Sequence, residues 1–434
     1  MKLGIPKLIA RPFVRNVATV ASGAAAAQVI ATIASPFITR LYGPEAFGAL
    51  GVFNSIVSVA TSVTCLTYPV AIVLPKQDSV ALELVRLSVV LALVSSVVAM
   101  LFILFLGPAL AEVLQAQLIL PYLWFVPVAM FAGGVLQVTQ QWMLRRQAFQ
   151  TTAYVSVVQA GAINLLKIVL GYFHPIAATL IIVAAFDALL QSFLLVAARV
   201  RMSSLWTCLS SNTWGGELRA ARFYSDFPVF RAPQGLVNAV ALGFPVFAIS
   251  AAFGPVITGH YVLAVSVLAL PTRLIGKSVA DVFYPRIVRS FQNGENGAEH
   301  LVKATGALSM VGLLPFFAVF FIGPWIFAIV FGQEWRISGE FARWLAIAQF
   351  FFFIARPAVV TVSAVGAQKM LLKFELVSLI ARVGLFLVVV LAWDDPLPAV
   401  IALSLANVFL YSFLIYGTYV RAKSWTENAD KKAG

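Results

Sequence analysis

Apolar residues dominate this chain in long unbroken runs, and polar residues gather in short clusters between them. A helix that crosses a bilayer needs about 20 consecutive apolar residues. Reading the runs against Gly, Pro and charged punctuation predicts twelve such helices. They fall near 14–39, 46–74, 83–107, 118–143, 149–171, 175–198, 224–252, 256–284, 301–330, 338–365, 370–393 and 397–420. None of the connections is long enough to fold by itself. The longest polar stretch, 201–222, lies at the midpoint and reads as a linker. The expected organisation is an N-terminal lobe over 1–200, a cytosolic linker over 201–222 and a C-terminal lobe over 223–434. The fold class is an all-α integral membrane protein.

Composition agrees with the pattern. Of 434 residues, 61% are hydrophobic and 11% charged, where soluble domains carry about 25% charged residues. A charge of +13 would suggest nucleic acid in a soluble protein, but here it first reports topology. With the N-terminus inside, 21 of the 30 Lys and Arg fall in inner segments, and 3 (Arg40, Arg336, Arg343) fall in outer ones. That asymmetry predicts both termini in the cytoplasm. The basic leader MKLGIPKLIARPFVRN lacks a signal peptide's compact core and cleavage site. Cys65 and Cys208 suggest no disulfide framework, and no Cys/His spacing suggests a metal.

The sequence also echoes itself. Tyr42-Gly43-Pro44 matches Phe253-Gly254-Pro255 at an offset of 211 residues, and Leu106-Gly107-Pro108 matches Ile322-Gly323-Pro324 at 216. Gln147 falls opposite Gln368 at 221. Ordered matches at equivalent helix ends predict that helices 1–6 repeat as 7–12. Since six is even, the repeat is parallel, about an axis along the membrane normal.

Six cations remain inside the expected helices: Lys167, Arg231, Arg273, Lys277, Arg356 and Arg382. A charge at a helix centre costs roughly 2.5–3.5 kcal/mol on insertion scales, so such residues face a cavity or a partner. Five of the six lie in the second half, which suits an anionic ligand, because Arg binds phosphate through paired hydrogen bonds. Arg273, Lys277 and Asp281 share a helix face, as do Glu375 and Arg382. Asp187, Glu375, Asp281 and Asp226 are candidate coupling sites for H+ or Na+, or buried counter-ions. The histidines (His174, His260, His300) are scattered and read as structural.

Four stretches resemble a known family: RLYGPEAFGALGVF at 40–53, FPVFRAPQGLVNA at 227–239, FGPVITGHYVLAVSVLALPTRLIG at 253–276 and VFYPRI at 282–287. Together they resemble the polysaccharide flippases of the multidrug/oligosaccharidyl-lipid/polysaccharide exporter superfamily. The resemblance implies two six-helix lobes around a V-shaped cavity with a cationic lumen. It implies that undecaprenyl-pyrophosphate-linked oligosaccharide, of O-antigen or exopolysaccharide type, crosses the bacterial inner membrane by alternating access. It also implies a polysaccharide polymerase and a chain-length regulator as partners, and no cofactor. No shared motif assigns the arginines, which are carried by position alone. A lipid II flippase would add two C-terminal helices. A drug or cation antiporter of the same fold would be expected to carry more acids and aromatics against its ligand. A membrane-embedded polymerase or ligase would need catalytic groups in a larger outer loop, and no Ser/His/Asp or paired-carboxylate set is present.

Overall fold

The computed structural model describes residues 7–114, 117–198, 216–292, 296–364 and 368–433. The chain divides into two compact units, Met1–Gly243 and Phe244–Gly434. Most of the expected linker, together with Cys208, lies outside the described residues.

Helices of the first unit are α1 (Lys7–Leu41), α2 (Pro44–Thr64), α3 (Asp78–Val113), α4 (Phe125–Arg145), α5 (Phe149–Phe173), α6 (Ala177–Ala197) and the short α7 (Glu217–Phe223). A π-helical turn, Phe227–Arg231, leads into α8 (Ala232–Leu268), within which the division between the units falls. The second unit continues with α9 (Leu270–Gln292), α10 (Gly297–Phe331), α11 (Arg336–Ile354), α12 (Arg356–Ala364), α13 (Gln368–Ala392) and α14 (Pro396–Ala433). The described residues contain no strand. Ten helical stretches among them are long and apolar enough to cross a membrane. The chain is a multi-pass membrane protein.

Ten stretches and twelve expected spans differ for local reasons. The run Phe227–Leu268 counts as one stretch, although Gly254 breaks it with φ 76°. In contrast, α4 carries Gln137, Gln140 and Gln141, which lower its hydropathy. Helix α3 also passes the expected stop at Gly107 and keeps Pro108 inside. Proline removes one hydrogen bond, and the apolar residues beyond it continue the helix.

The two Gly-Pro junctions both interrupt a helix, with different glycine geometry. Gly43 is extended and Pro44 starts α2, where a missing N–H costs nothing. Gly254 takes a left-handed φ that a side chain would resist, and Pro255 restarts the helix. At the first junction Tyr42 is fully buried and its hydroxyl donates to the Lys167 carbonyl at 2.9 Å. A Cβ on Gly171 would meet the Tyr42 ring at 2.6 Å. Gly171→Ala should therefore lower thermal stability in detergent by about 1–3 kcal/mol through overpacking.

Packing within the first unit joins α1 to α5, α4 to α6 and α3 to α4. Within the second, α10 packs on α11, α11 and α13 pack on α14, and α9 packs on α12. Cations near the helix ends hold structure. Arg145 donates to Asp78 at 2.8 and 3.1 Å and to the Ile72 and Pro75 carbonyls at 3.1 and 2.6 Å. Arg86, buried in α3, pairs with buried Glu217 of α7 at 3.1 Å.

Candidate functional site

Two of the expected cations converge in the second unit. Arg382 lies mid-way along α13 and is only 7% exposed. Its Nε donates to Asn407 Oδ1 at 2.8 Å, and its Nη2 to the Tyr411 hydroxyl at 3.5 Å. Asn407 and Tyr411 are four residues apart on α14, so they share a face. The Tyr411 ring packs against Phe352 of α11 at 5.2 Å and against Phe374 of α13 at 6.0 Å. Arg356, the first residue of α12, sets its guanidinium carbon 4.2 Å from the centroid of that same Phe352 ring. Thus one aromatic pair, Phe352 and Tyr411, links the two arginines.

The arginines are held by neutral groups. Among the described residues neither forms an ion pair, and the buried Arg356 Nε has no hydrogen-bond partner. A guanidinium has five N–H donors, of which these contacts use two on Arg382. Cation–π and amide contacts fix the guanidinium planes without cancelling their charge. Such an arrangement can take a multivalent oxyanion by paired, charge-assisted hydrogen bonds.

The remaining expected residues are spread out. Arg273 is exposed on α9, the helix that packs on α12. Glu375 is half-buried on α13, two turns before Arg382. The side chains of Lys277 and Asp281 lie outside the described residues. In the first unit Arg231 is exposed at the end of the π turn, its guanidinium 5.3 Å from the Phe227 ring. Asp226 is exposed just before that turn. Lys167 of α5 and Asp187 of α6 are half-buried and electrostatically coupled, and Gln159 donates to Asp187. Asp187 therefore has the surroundings of a counter-ion. His260 is buried, 3.0 Å from the Ser338 hydroxyl and edge-on to Trp335, which fits a structural role.

Sequence reasoning passed over Asn407, Tyr411, Phe352 and Gln159. The signal for the first two was present: an amide and a phenol at helical spacing in an otherwise apolar run. Nothing in the sequence marks which of the many phenylalanines carries an arginine.

A family model described as "Polysaccharide biosynthesis protein" matches residues 37–340. No curated protein matches the chain in sequence. Among solved structures, an inward-facing multidrug resistance MATE family transporter of the MOP superfamily is similar, with TM-score 0.74 and 13% identity. That match covers 92% of this chain and 96% of the other. The lipid II flippase MurJ in an inward closed conformation is similar with TM-score 0.71 and 12% identity, over 92% of this chain and 89% of that one. A eukaryotic MATE transporter is similar with TM-score 0.58 and 14% identity, over 95% and 99%. At these identities the likeness is one of fold.

Proposed function

The chain belongs to the polysaccharide biosynthesis protein family, and from that premise we propose that it is a transporter, a flippase for undecaprenyl-pyrophosphate-linked oligosaccharide. It moves O-antigen or exopolysaccharide repeat units from the inner to the outer leaflet of the bacterial inner membrane, with both termini cytoplasmic. The observation that carries this reading is the Arg356–Arg382 pair, one cation at the start of α12 and one midway along α13, joined through Phe352 and Tyr411 and lacking any acidic partner among the described residues. A pyrophosphate supplies the missing anion. The basic inner rim draws it in, the arginines hold it, and the isoprenoid tail stays in lipid. Alternating access then presents the head to the outer face, and no covalent bond breaks.

Arg273, exposed on α9, extends the cationic surface of the second unit, Lys277 adds to it by position, and Arg231 is an exposed cation of the first unit. Lys167 belongs with Asp187 rather than with the anion. Coupling to H+ or Na+, and hand-over to a polymerase and a chain-length regulator, complete the proposal. The antiporter reading shares the fold, but a cationic drug would be repelled by two uncompensated arginines. A polymerase or ligase would alter chain length instead of supply.

A strain lacking this gene should lose surface polysaccharide and accumulate the lipid-linked intermediate on the cytoplasmic leaflet, with drug susceptibility unchanged. Lipid extraction and gel analysis of polymer read both. Polymer of altered length with no accumulated intermediate would favour a polymerase, and raised drug susceptibility alone would favour the antiporter.

A further inference from the structure

The first unit contains a polar space that the arginine pair does not explain. A cavity of about 440 Å³ opens among α2, α4 and α6. Its α2 wall carries Asn54, Ser58, Thr61 and Ser62, whose spacing places them on one helix face. Gln137 comes from α4 and Asp187 from α6. Four polar residues on one face of a membrane helix are costly unless that face meets a polar group.

Some of their capacity is used internally. Ser62 Oγ donates to the Val59 carbonyl at 2.6 Å, and Gln137 Nε2 to the Thr61 carbonyl at 3.3 Å. Thr61 Oγ1 is buried without a partner among the described residues. Asp187 is positioned by Gln159, and its charge is offset by Lys167. Small residues open the space: Gly133 on α4, and Ala184 and Ala188 on α6. A Cβ on Gly133 would meet Thr61 Cγ2 at 2.7 Å.

The chemistry distinguishes two occupants. A dehydrated cation asks for several oxygen ligands at about 2.0–2.6 Å, usually including more than one carboxylate. Here one carboxylate, already engaged, faces a space within the range of about 300–1,000 Å³ typical of small-molecule sites. Neutral hydroxyls and amides around a single acceptor suit a ligand whose own hydroxyls both donate and accept. We infer that this cavity receives the sugar head of the substrate, a polyhydroxylated glycan, through hydrogen bonds with Asn54, Ser58, Gln137 and the accepting carboxylate of Asp187. The inference rests on the flippase reading and gives the first unit a subsite of its own.

The test measures binding to the full chain in lipid nanodiscs with two probes. One is undecaprenyl pyrophosphate. The other is the undecaprenyl-pyrophosphate-linked oligosaccharide that accumulates in the deletion strain. Wild type should bind the glycosylated probe about tenfold or more tightly than the bare one, the equivalent of one or two net hydrogen bonds. Ala188→Leu, which fills the cavity, should bring the glycosylated probe down to the affinity of the bare one. The double variant Asn54→Ala with Ser58→Ala should do the same without adding volume, so the test stands even if the filled variant does not fold. Persistence of the preference in a folded variant would overturn the inference. So would equal binding of both probes by wild type, or a sodium-dependent affinity abolished by Ala188→Leu. If wild type binds neither probe, the flippase reading itself falls and this subsite with it.

Discussion

Arg382→Ala should cut export of lipid-linked sugar by one to two orders of magnitude while leaving the amount of protein in the membrane unchanged. A charge-assisted hydrogen bond contributes about 1.5–3 kcal/mol, and each 1.4 kcal/mol is about a factor of ten. The protein level should hold because the variant removes a costly mid-helix charge, worth roughly 2.5–3.5 kcal/mol on insertion scales. Asn407 and Tyr411 lose only one partner each. Arg382→Lys should restore little, because an ammonium cannot bond Asn407, Tyr411 and a phosphate in one plane. Arg356→Ala should behave similarly, since its guanidinium lies over Phe352, the ring that packs against Tyr411. Immunoblots of membranes and quantification of surface polymer check all three variants. Full polymer output from well-expressed Arg382→Ala would remove this arginine from the substrate site.

The second large effect concerns stability rather than transport. Glu217→Ala should destabilise the protein by about 3–5 kcal/mol, the cost of removing one member of a buried ion pair. The charge left behind is Arg86, whose side chain is 10% exposed. The pair anchors α7, and further bonds fasten the segment that follows. Tyr68 donates to the Ala221 carbonyl at 3.1 Å, and Thr67 to the Phe227 carbonyl at 3.0 Å. Burial pushes the Tyr68 phenol above its ordinary value, so the hydroxyl keeps the proton it donates. The donating turn is strained: Leu66 and Thr67 adopt φ of 47° and 60°, a conformation of order 1–3 kcal/mol for side-chain-bearing residues. Tyr68, Ala71, Leu84, Trp142 and Ala220 close a core around the anchor. Arg86→Met with Glu217→Leu should recover most of the loss, because a well-packed apolar pair replaces two desolvated charges. Thermal unfolding in detergent compares the three proteins. Equal unfolding temperatures for wild type and Glu217→Ala would show that the pair holds nothing.

The membrane character and the all-helical class were legible because the bilayer imposes a single rule on every span: internal hydrogen bonding and an apolar surface. The Gly-Pro junctions at 43–44 and 254–255 were legible for a similar reason, since proline leaves few backbone options and Gly254 adds a left-handed φ. RLYGPEAFGALGVF acts through Tyr42, whose ring rests on Gly171 and whose hydroxyl reaches the Lys167 carbonyl. That contact spans 125 residues, and no local pattern encodes it. The mid-helix charges were visible as anomalies, but their grouping was not. Arg356 and Arg382 meet through side chains on α11 and α14, whereas Lys167 lies in the first unit, within electrostatic range of Asp187. Arg86 shows the limit most clearly. In sequence it is one more inner-rim cation, whereas in the fold it is buried against an acid 131 residues away.

Reconstitution measures the central claim most directly. The purified chain is placed in liposomes containing the undecaprenyl-pyrophosphate-linked oligosaccharide, and a membrane-impermeant glycosidase is added outside. With wild type, sugar of the inner leaflet should become accessible over time, and it should stay protected with the Arg356→Ala, Arg382→Ala double variant. No gain in accessibility with wild type, or an equal gain with the double variant, would contradict the account.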